Sequence, residues 1–289
     1  TLIFVDIDGV LNVGVADPDG SLLGLTRANV EKAQKKWQGD TPREEVGAMH
    51  GNVDRLMSVY TRSVGGGEDA TFAKFVINPA TGVSDELLGR LAALIQAAPQ
   101  ATIVLSSAWR KSPARVQRLE AAVSEALDVR FEFDRHTGGE EDSSPAGRLK
   151  AIGDFVANHR SRPGSQLRVL VLEDLHATAF GGWSLGEGSL PVSSAQVAEW
   201  YLRGRAASPA TARVKMVHTF DEWVSASGTP IQVGTGLTLS HFQEALDFLR
   251  SPRVDFFGFG HACCVEEVEF EAQEPIGKWP GVLQMLSCM

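Results

Sequence analysis

Cysteine is scarce in this chain, with only Cys263, Cys264 and Cys288 among 289 residues. A small, odd number of cysteines in a chain of this length argues against a disulfide framework and is typical of proteins in a reducing compartment. We therefore expect a cytoplasmic protein. The first residue is Thr rather than Met, so this expectation leaves an upstream targeting segment open.

Long apolar runs and an excess of positive charge are also absent. No apolar run approaches the roughly 20 residues that cross a bilayer, so we expect no membrane partner. The net charge of −9 gives no overall attraction to nucleic acid, which is itself negative. A phosphate-rich substrate or a nucleic-acid end therefore needs a local basic cluster. Arg110, Lys111, Arg115 and Arg118 offer one, although we interpret them first as a solvated helix face.

Three apolar segments that read as buried strands end at polar residues: "TLIFVDIDG" at 1–9, "ATIVLSSAWR" at 101–110 and "LRVLVLEDLHA" at 167–177. Helical patterns lie between them, at 84–99 and 143–159. Strands that alternate with helices predict right-handed crossovers and a parallel sheet with helices on both faces. Because ligands bind beyond the carboxyl ends of such strands, we expect the three polar ends to share one crevice.

The predicted fold class is α/β: a Rossmann-like, three-layer αβα sandwich with a parallel sheet and an inserted cap region. We predict a core over 1–250, in which 13–70 is the cap insertion and 178–210 is an accessory insertion. The cap contains two helical patterns, at 26–37 and 42–62, and a strand-like run, "FAKFVINP", follows it. Residues 251–289 form a C-terminal extension to which the sequence assigns no role.

Two aspartates, Asp6 and Asp8, directly follow the first predicted strand. Carboxylates this close repel each other, and their burial at a strand end is unfavourable unless a cation or hydrogen bonds compensate. One interpretation is a turn at Asp8 and Gly9, with Asp6 capping a helix. The other is a site that binds a cation.

Four motifs in the expected order favour the second interpretation. They are "FVDIDGVLN" at 4–12, "TIVLSS" at 102–107, "GRLKAIGDF" at 147–155 and "VLVLED" at 169–174. With them the sequence resembles the haloacid dehalogenase (HAD) superfamily of phosphohydrolases over roughly residues 1–250. "SSAWR" at 106–110 is similar to the HAD branch associated with RNA repair, as is "GLTLSHFQEAL" further along the chain.

The resemblance implies a role for four side chains. Asp6 is expected to be the nucleophile that forms an aspartyl-phosphate. Asp8 is expected to protonate the leaving group and then to activate water. Ser106 is expected to hydrogen-bond a phosphate oxygen, although Ser107 beside it is an alternative. Lys150 is expected to neutralise the phosphoryl group, with Arg148 as its competitor.

The resemblance also implies a Mg²⁺ ion, because an anionic carboxylate must approach an anionic phosphate. The expected protein ligands are the Asp6 carboxylate, the main-chain carbonyl of Asp8 and an acid from Glu173 and Asp174. Of these two acids we favour Asp174 as the direct ligand.

The predicted function is a Mg²⁺-dependent phosphatase that hydrolyses a phosphomonoester through phospho-Asp6. The substrate is phosphorylated, and its class stays open. The alternative is a non-catalytic HAD-like scaffold or binding subunit of a larger assembly. Glu173, in place of the usual aspartate, favours the scaffold, whereas the joint presence of Asp6, Asp8, Ser106, Lys150 and Asp174 favours the enzyme.

Overall fold

The computed structural model describes the chain at residues 1–16, 22–37, 50–68, 70–138, 145–159, 166–175, 194–224, 230–251, 265–268 and 283–286. The strands are β1 (Leu2–Val5), β2 (Gly14–Ala16), β3 (Leu22–Gly24), β4 (Thr102–Leu105), β5 (Arg135–His136), β6 (Arg168–Glu173), β7 (Arg213–His218), β8 (Phe220–Val224), β9 (Pro230–Gly234), β10 (Val265–Val268) and β11 (Leu283–Leu286). The helices are α1 (Arg27–Trp37), α2 (His50–Tyr60), α3 (Asp85–Ala97), α4 (Pro113–Leu127), α5 (Pro145–Asn158), α6 (Ser194–Arg205) and α7 (Leu239–Arg250). None of the helices in these ranges is both long and apolar enough to cross a membrane.

The main sheet has five parallel strands in the order β5-β4-β1-β6-β7. The central strand β1 pairs in register with both neighbours, so that Leu2 lies opposite Thr102 on one side and Val169 on the other. The three apolar segments therefore form three adjacent strands, as the sequence predicts. Their carboxyl ends lie side by side at one edge of the sheet.

The two faces of the sheet are covered by different helices. Along β1, Leu2 and Phe4 belong to the cluster that contains α5 and α6 side chains, whereas Ile3 and Val5 belong to the cluster with α3, α4 and α7. This alternation is the two-residue period of a strand buried on both faces. The α/β, three-layer prediction is thus confirmed.

A second, antiparallel sheet lies beside the core, with the strand order β3-β2-β9-β8. Strands β2 and β3 come from the segment predicted as a cap, while β8 and β9 come from more than 200 residues later in the chain. Leu25, Val30 and Leu56 of the 13–70 segment share one buried cluster with β1. The segment is therefore packed on the core, and its role as a cap stays a prediction.

Two helices of the 13–70 segment agree with the sequence prediction, since α1 and α2 lie within the predicted ranges. The strand-like run after it does not form a strand, because Phe72–Phe75 is a 3₁₀ helix. Phe72 and Phe75 are both buried and three residues apart, which is the spacing of one 3₁₀ turn. The run is therefore apolar because a 3₁₀ helix buries its two phenylalanines, and not because it forms a strand.

The remaining domain predictions fall partly outside the described residues. Residues 178–193 of the predicted accessory insertion are among those not described, and from Ser194 onward the chain forms α6, which packs on the sheet. Of the C-terminal extension, only the antiparallel pair β10 and β11 is described. The predicted boundaries of both segments stay predictions.

Candidate active site

Polar side chains from three adjacent strands meet at the carboxyl edge of the main sheet. Asp6 and Ser106 directly follow β1 and β4, and Glu173 is the last residue of β6. The chain is still hydrogen-bonded across the sheet here, because the Asp6 amide donates to the Leu172 carbonyl at 3.0 Å. All three polar side chains are buried. The sheet therefore fixes their backbones, and the three polar strand ends meet at one edge of the sheet, as the sequence predicts.

Asp6, Glu173 and Asp174 form an acidic cluster in which one carboxylate oxygen from each residue lies within 4.8 Å of the others. Burial raises the pKa of Asp174 to about 8, and the negative charge of Asp6 adds to this shift. Burial likewise raises the pKa of Glu173 well above its ordinary value, although Arg148 opposes the shift. The cluster therefore favours any nearby positive charge.

Arg148, in the first turns of α5, supplies such a charge. Its guanidinium forms ion pairs with Asp6 and Glu173, and its Nη1 lies 3.6 Å from Asp174. Burial of the guanidinium opposes its positive charge, but the three carboxylates outweigh this effect and raise the pKa of Arg148. One arginine cannot balance three ionised carboxylates: full ionisation would leave two negative charges in excess, and a proton or a metal ion at the cluster relieves this imbalance.

Lys150 does not reach this cluster. Its side chain is 64% exposed and pairs with Asp154 at 2.9 Å, four residues along the same helix. Residues two apart on a helix point to opposite sides, so Arg148 and Lys150 cannot both face the carboxylates. The cation next to Asp6 is thus Arg148, the competitor considered above, and not Lys150.

Asp8 lies next to the cluster, but its side chain is engaged elsewhere. One of its oxygens accepts a hydrogen bond from Asn12 Nδ2 at 3.0 Å, and the indole N–H of Trp109 lies 3.2 and 3.3 Å from the two oxygens. Burial raises the pKa of Asp8 above its ordinary value, and the negative charge of Asp6 adds to this shift. The hydrogen bonds from Asn12 and Trp109 oppose the shift but do not cancel it. The use of its main-chain carbonyl as a metal ligand stays a prediction.

The two adjacent serines are distinguished by their contacts. Ser106 Oγ donates to Glu173 Oε1 at 3.2 Å, so it faces the acidic cluster. Ser107 Oγ accepts from the Trp109 amide at 3.3 Å and caps the short 3₁₀ helix Ala108–Lys111. The structure thus brings Ser106 to the site, and its contact with a phosphate stays a prediction.

Gly9 forms the turn that joins the aspartates to the rest of the site. Its φ is +77°, and a Cβ placed on it would lie 2.2 Å from Asp174 Oδ2. The Gly9 carbonyl accepts hydrogen bonds from the Gly236 amide at 2.9 Å and from Thr219 Oγ1 at 2.8 Å. Residues that flank the second sheet, Gly236 through its amide and Thr219 through its hydroxyl, therefore hold the turn, and no sequence motif indicated this contact.

We expect Gly9→Ala to destabilise the protein by more than about 2 kcal/mol, because it adds a strained positive φ to a clash with Asp174. Thermal or denaturant unfolding of the purified variant measures this change. The matched control is Gly89→Ala in α3, where an added Cβ meets nothing within 4 Å. That control should be neutral or stabilising by up to about 1 kcal/mol. Equal stability of the two variants would contradict the described turn.

A family model described as "HAD domain in Swiss Army Knife RNA repair proteins" matches residues 2–190, which is more than half of the chain. The chain belongs to this HAD family. No curated protein and no solved structure gave a significant match. Membership in the HAD family supports a hydrolase of the HAD kind.

HAD domains generally use Mg²⁺, and the residues of this HAD domain fit such an ion. Three carboxylates offer the oxygen ligands that Mg²⁺ prefers, and one oxygen of each lies within 4.8 Å of the others. The excess of negative charge at the cluster is a second reason for the fit. Asp6, Asp174 and Glu173 are the side chains that could hold the ion.

Proposed function

We propose that this HAD domain is a Mg²⁺-dependent phosphatase that hydrolyses a phosphomonoester through an aspartyl-phosphate on Asp6. The observation that supports it most directly is the group of Asp6, Glu173 and Asp174 around Arg148 at the carboxyl edge of the sheet. A buried nucleophile beside cationic and metal-ligating groups is the arrangement that phosphoryl transfer needs.

In the first step, an Asp6 carboxylate oxygen attacks phosphorus and the bond from phosphorus to the leaving oxygen breaks. A Mg²⁺ ion held by Asp6, Asp174 and Glu173 would supply positive charge that offsets the repulsion between carboxylate and phosphate. Asp8, protonated at this stage, gives its proton to the leaving oxygen, so that the product is a neutral alcohol. Its raised pKa favours the protonated form that this step requires.

In the second step, Asp8 takes a proton from water while the water oxygen attacks phosphorus. The bond between phosphorus and Asp6 breaks, which releases inorganic phosphate and restores both carboxyl groups to their starting states. Asp8 therefore acts as acid and then as base without net change.

Arg148 takes the role that the sequence gave to Lys150. Its guanidinium, between Asp6 and Asp174, would stabilise negative charge on the transferring phosphoryl oxygens. A planar guanidinium can donate to two oxygens at once, which an ammonium group cannot do with the same fixed geometry. Ser106 would donate a hydrogen bond to a third phosphoryl oxygen.

Among phosphomonoesters, a phosphorylated RNA end is the class that the family description favours. Two exposed cations support it: Arg115 and, four residues before it in the chain, Lys111. The Arg115 guanidinium is 5.4 Å from the centre of the Trp109 ring, and Trp109 contacts Asp8. These cations could contact the phosphodiester next to a terminal phosphate.

A substrate panel tests the proposed function. It contains an aryl phosphate, a mononucleotide, a sugar phosphate, and RNA oligonucleotides with a 3′ or a 5′ phosphate. We expect phosphate release that requires Mg²⁺ and stops with chelator, with the highest kcat/KM for an RNA end. Preference for a small phosphate would overturn the substrate class alone. No release from any member would favour the non-catalytic scaffold.

Magnesium affinity should depend on pH, because the metal requires Asp174 in its ionised form. With the pKa of Asp174 raised to about 8, protons compete with the metal below that pH. We expect the apparent affinity to rise about tenfold per pH unit between about pH 6 and about pH 8, and then to level off. Calorimetric titration in buffers with different ionisation enthalpies measures both the affinity and the protons released.

The raised pKa of Asp174 also makes the stability of the metal-free protein depend on pH, and this stability falls as the pH rises. The fold favours protonated Asp174, so this contribution to stability is lost progressively as the pH rises from the ordinary pKa of 3.8 and is fully lost above about 8. Asp174→Asn should weaken metal binding and flatten its pH dependence. A wild-type affinity that is independent of pH over this range would contradict the raised pKa.

A further inference from the structure

Trp109 is a buried side chain that the mechanism above does not use. Its indole N–H points at the Asp8 carboxylate, with Nε1 at 3.3 Å from Oδ1 and 3.2 Å from Oδ2. Trp109 follows β4 and Asp8 follows β1, so this contact joins the polar ends of two neighbouring strands. The other polar contact of Asp8 comes from Asn12 Nδ2, at 3.0 Å from Oδ1.

The ring of Trp109 is held from several sides. Gly82 leaves room for it, since a Cβ there would lie 2.9 Å from Trp109 Cη2. The Trp109 amide donates to Ser107 Oγ at 3.3 Å, which fixes the start of the 3₁₀ helix. Arg115 lies over the ring. An indole held in this way can fix the direction of the carboxylate that it contacts.

Asn12 is held as firmly as Trp109. Its Oδ1 accepts from the Gly9 amide at 2.9 Å while its Nδ2 donates to Asp8, so one side chain bridges the turn. The two oxygens of Asp8 accept different numbers of hydrogen bonds from these two donors. Among the residues that the structure describes, Oδ1 receives N–H groups from both Asn12 and Trp109, whereas Oδ2 receives only the shared Trp109 N–H.

We propose that Trp109 and Asn12 are positioning residues that fix the Asp8 carboxyl for proton transfer, with Oδ2 as the oxygen that carries the proton. This inference rests on the proposed function. The step is the one described above: the Oδ2 proton passes to the leaving oxygen as its bond to phosphorus breaks, and Oδ2 later takes a proton from the attacking water. A carboxyl that rotates freely would meet the leaving oxygen less often in a productive orientation.

The dependence of the rate on the leaving group separates this role from a purely structural one. An alkoxide is a poor leaving group and needs the acid, whereas a nitrophenolate leaves with little help. In Trp109→Phe, which keeps an aromatic ring but lacks the N–H, we expect kcat to fall about tenfold for an alkyl phosphate. The fall for nitrophenyl phosphate should be no more than about twofold, with KM unchanged for both.

Two further proteins keep the test interpretable. Lys150→Met changes an exposed side chain that pairs with Asp154 and leaves the indole N–H in place, so the ratio of the two kcat values should match wild type. If Trp109→Phe does not fold, benzothienylalanine at position 109 replaces the N–H with sulfur at nearly constant shape. Equal losses on both substrates in that protein would show that Trp109 acts only through packing and would overturn the proposal.

A measurement without substrate tests the contact itself. In ¹⁵N-labelled protein, the indole signal that disappears in Trp109→Phe should lie downfield of an unbonded indole and should move upfield in Asp8→Ala. A signal that does not respond to Asp8→Ala overturns the inference, whatever the activity. If the signal responds and no phosphate is released from any ester, the proposed function fails, and with it the role in proton transfer.

Discussion

Asp6→Asn is expected to reduce Mg²⁺-dependent phosphate release by at least about a thousandfold, because an amide oxygen is a poor nucleophile toward phosphorus. Asp6 is buried at the end of the central strand, and its amide donates a hydrogen bond to the Leu172 carbonyl. Because the substitution keeps this backbone hydrogen bond, the fold around position 6 should not change. Steady-state release of inorganic phosphate from the best substrate of the panel measures the effect.

The stability of the same variant provides the control. Asn removes the Asp6–Arg148 ion pair but also the repulsion of Asp6 on Glu173 and Asp174, and Arg148 keeps its contacts with those two acids, so the metal-free variant should unfold at the same temperature as wild type or higher. A folded Asp6→Asn protein with wild-type activity would contradict the proposed nucleophile. A variant that unfolds at a much lower temperature would contradict the charge balance described for the cluster.

Arg148→Met has the second largest expected effect. The substitution keeps much of the side-chain length but leaves three buried carboxylates without their cation. We expect the metal-free protein to lose about 3 kcal/mol of stability, as is typical when one partner of a buried ion pair is removed. Mg²⁺ should restore part of this loss, because the metal binds the same carboxylates.

The activity of Arg148→Met should fall by about a hundredfold at saturating Mg²⁺, since one donor to the transferring phosphoryl group is lost. Lys150→Met is the matched control on the same helix, because Lys150 is exposed and pairs only with Asp154 among the contacts described. We expect that control to change stability by less than about 0.5 kcal/mol and activity by less than about twofold. If the two variants exchanged these results, Lys150 would be the cation of the site.

The parts of the molecule that the sequence predicted well are those set by local pattern. Continuous apolar runs such as that of β1 predict buried parallel strands, and the acids that follow them must then lie at one edge of the sheet. Asp6, Ser106, Glu173 and Asp174 meet there in the structure for this reason. The position of these residues at the edge follows from the strands that precede them, so no knowledge of contacts between distant segments is needed to predict it.

The choice between Arg148 and Lys150 depended on the phase of a helix. Both lie in the motif, and only the packing of Leu149 and Ile152 against the sheet decides which side α5 presents to the carboxylates. A helix rotates by about 100° per residue, so a shift of two residues reverses the face. The sequence shows the period of the helix, but it does not show which side of α5 faces the carboxylates at the end of β1.

Contacts between distant segments could not be predicted. The turn at Gly9 is held by Gly236 and Thr219, which lie beyond residues 2–190 where the family model matches. Gly234 packs so close to this turn that a Cβ on it would lie 2.5 Å from Gly9 Cα. Gly234 ends strand β9, Gly236 follows it and Thr219 precedes β8, so the second sheet brings these residues to the site, and the short, mixed sequence of β9 has no clear period.

Direct detection of a phosphoryl group on Asp6 tests the central claim most sharply. The protein is mixed with Mg²⁺ and the best substrate of the panel, quenched in acid, digested and examined by mass spectrometry. The account predicts one added phosphoryl group on the peptide that contains Asp6, absent with chelator and absent in Asp6→Asn. Phosphate release without any phosphoryl group on that peptide, or with the group on another residue, would contradict it.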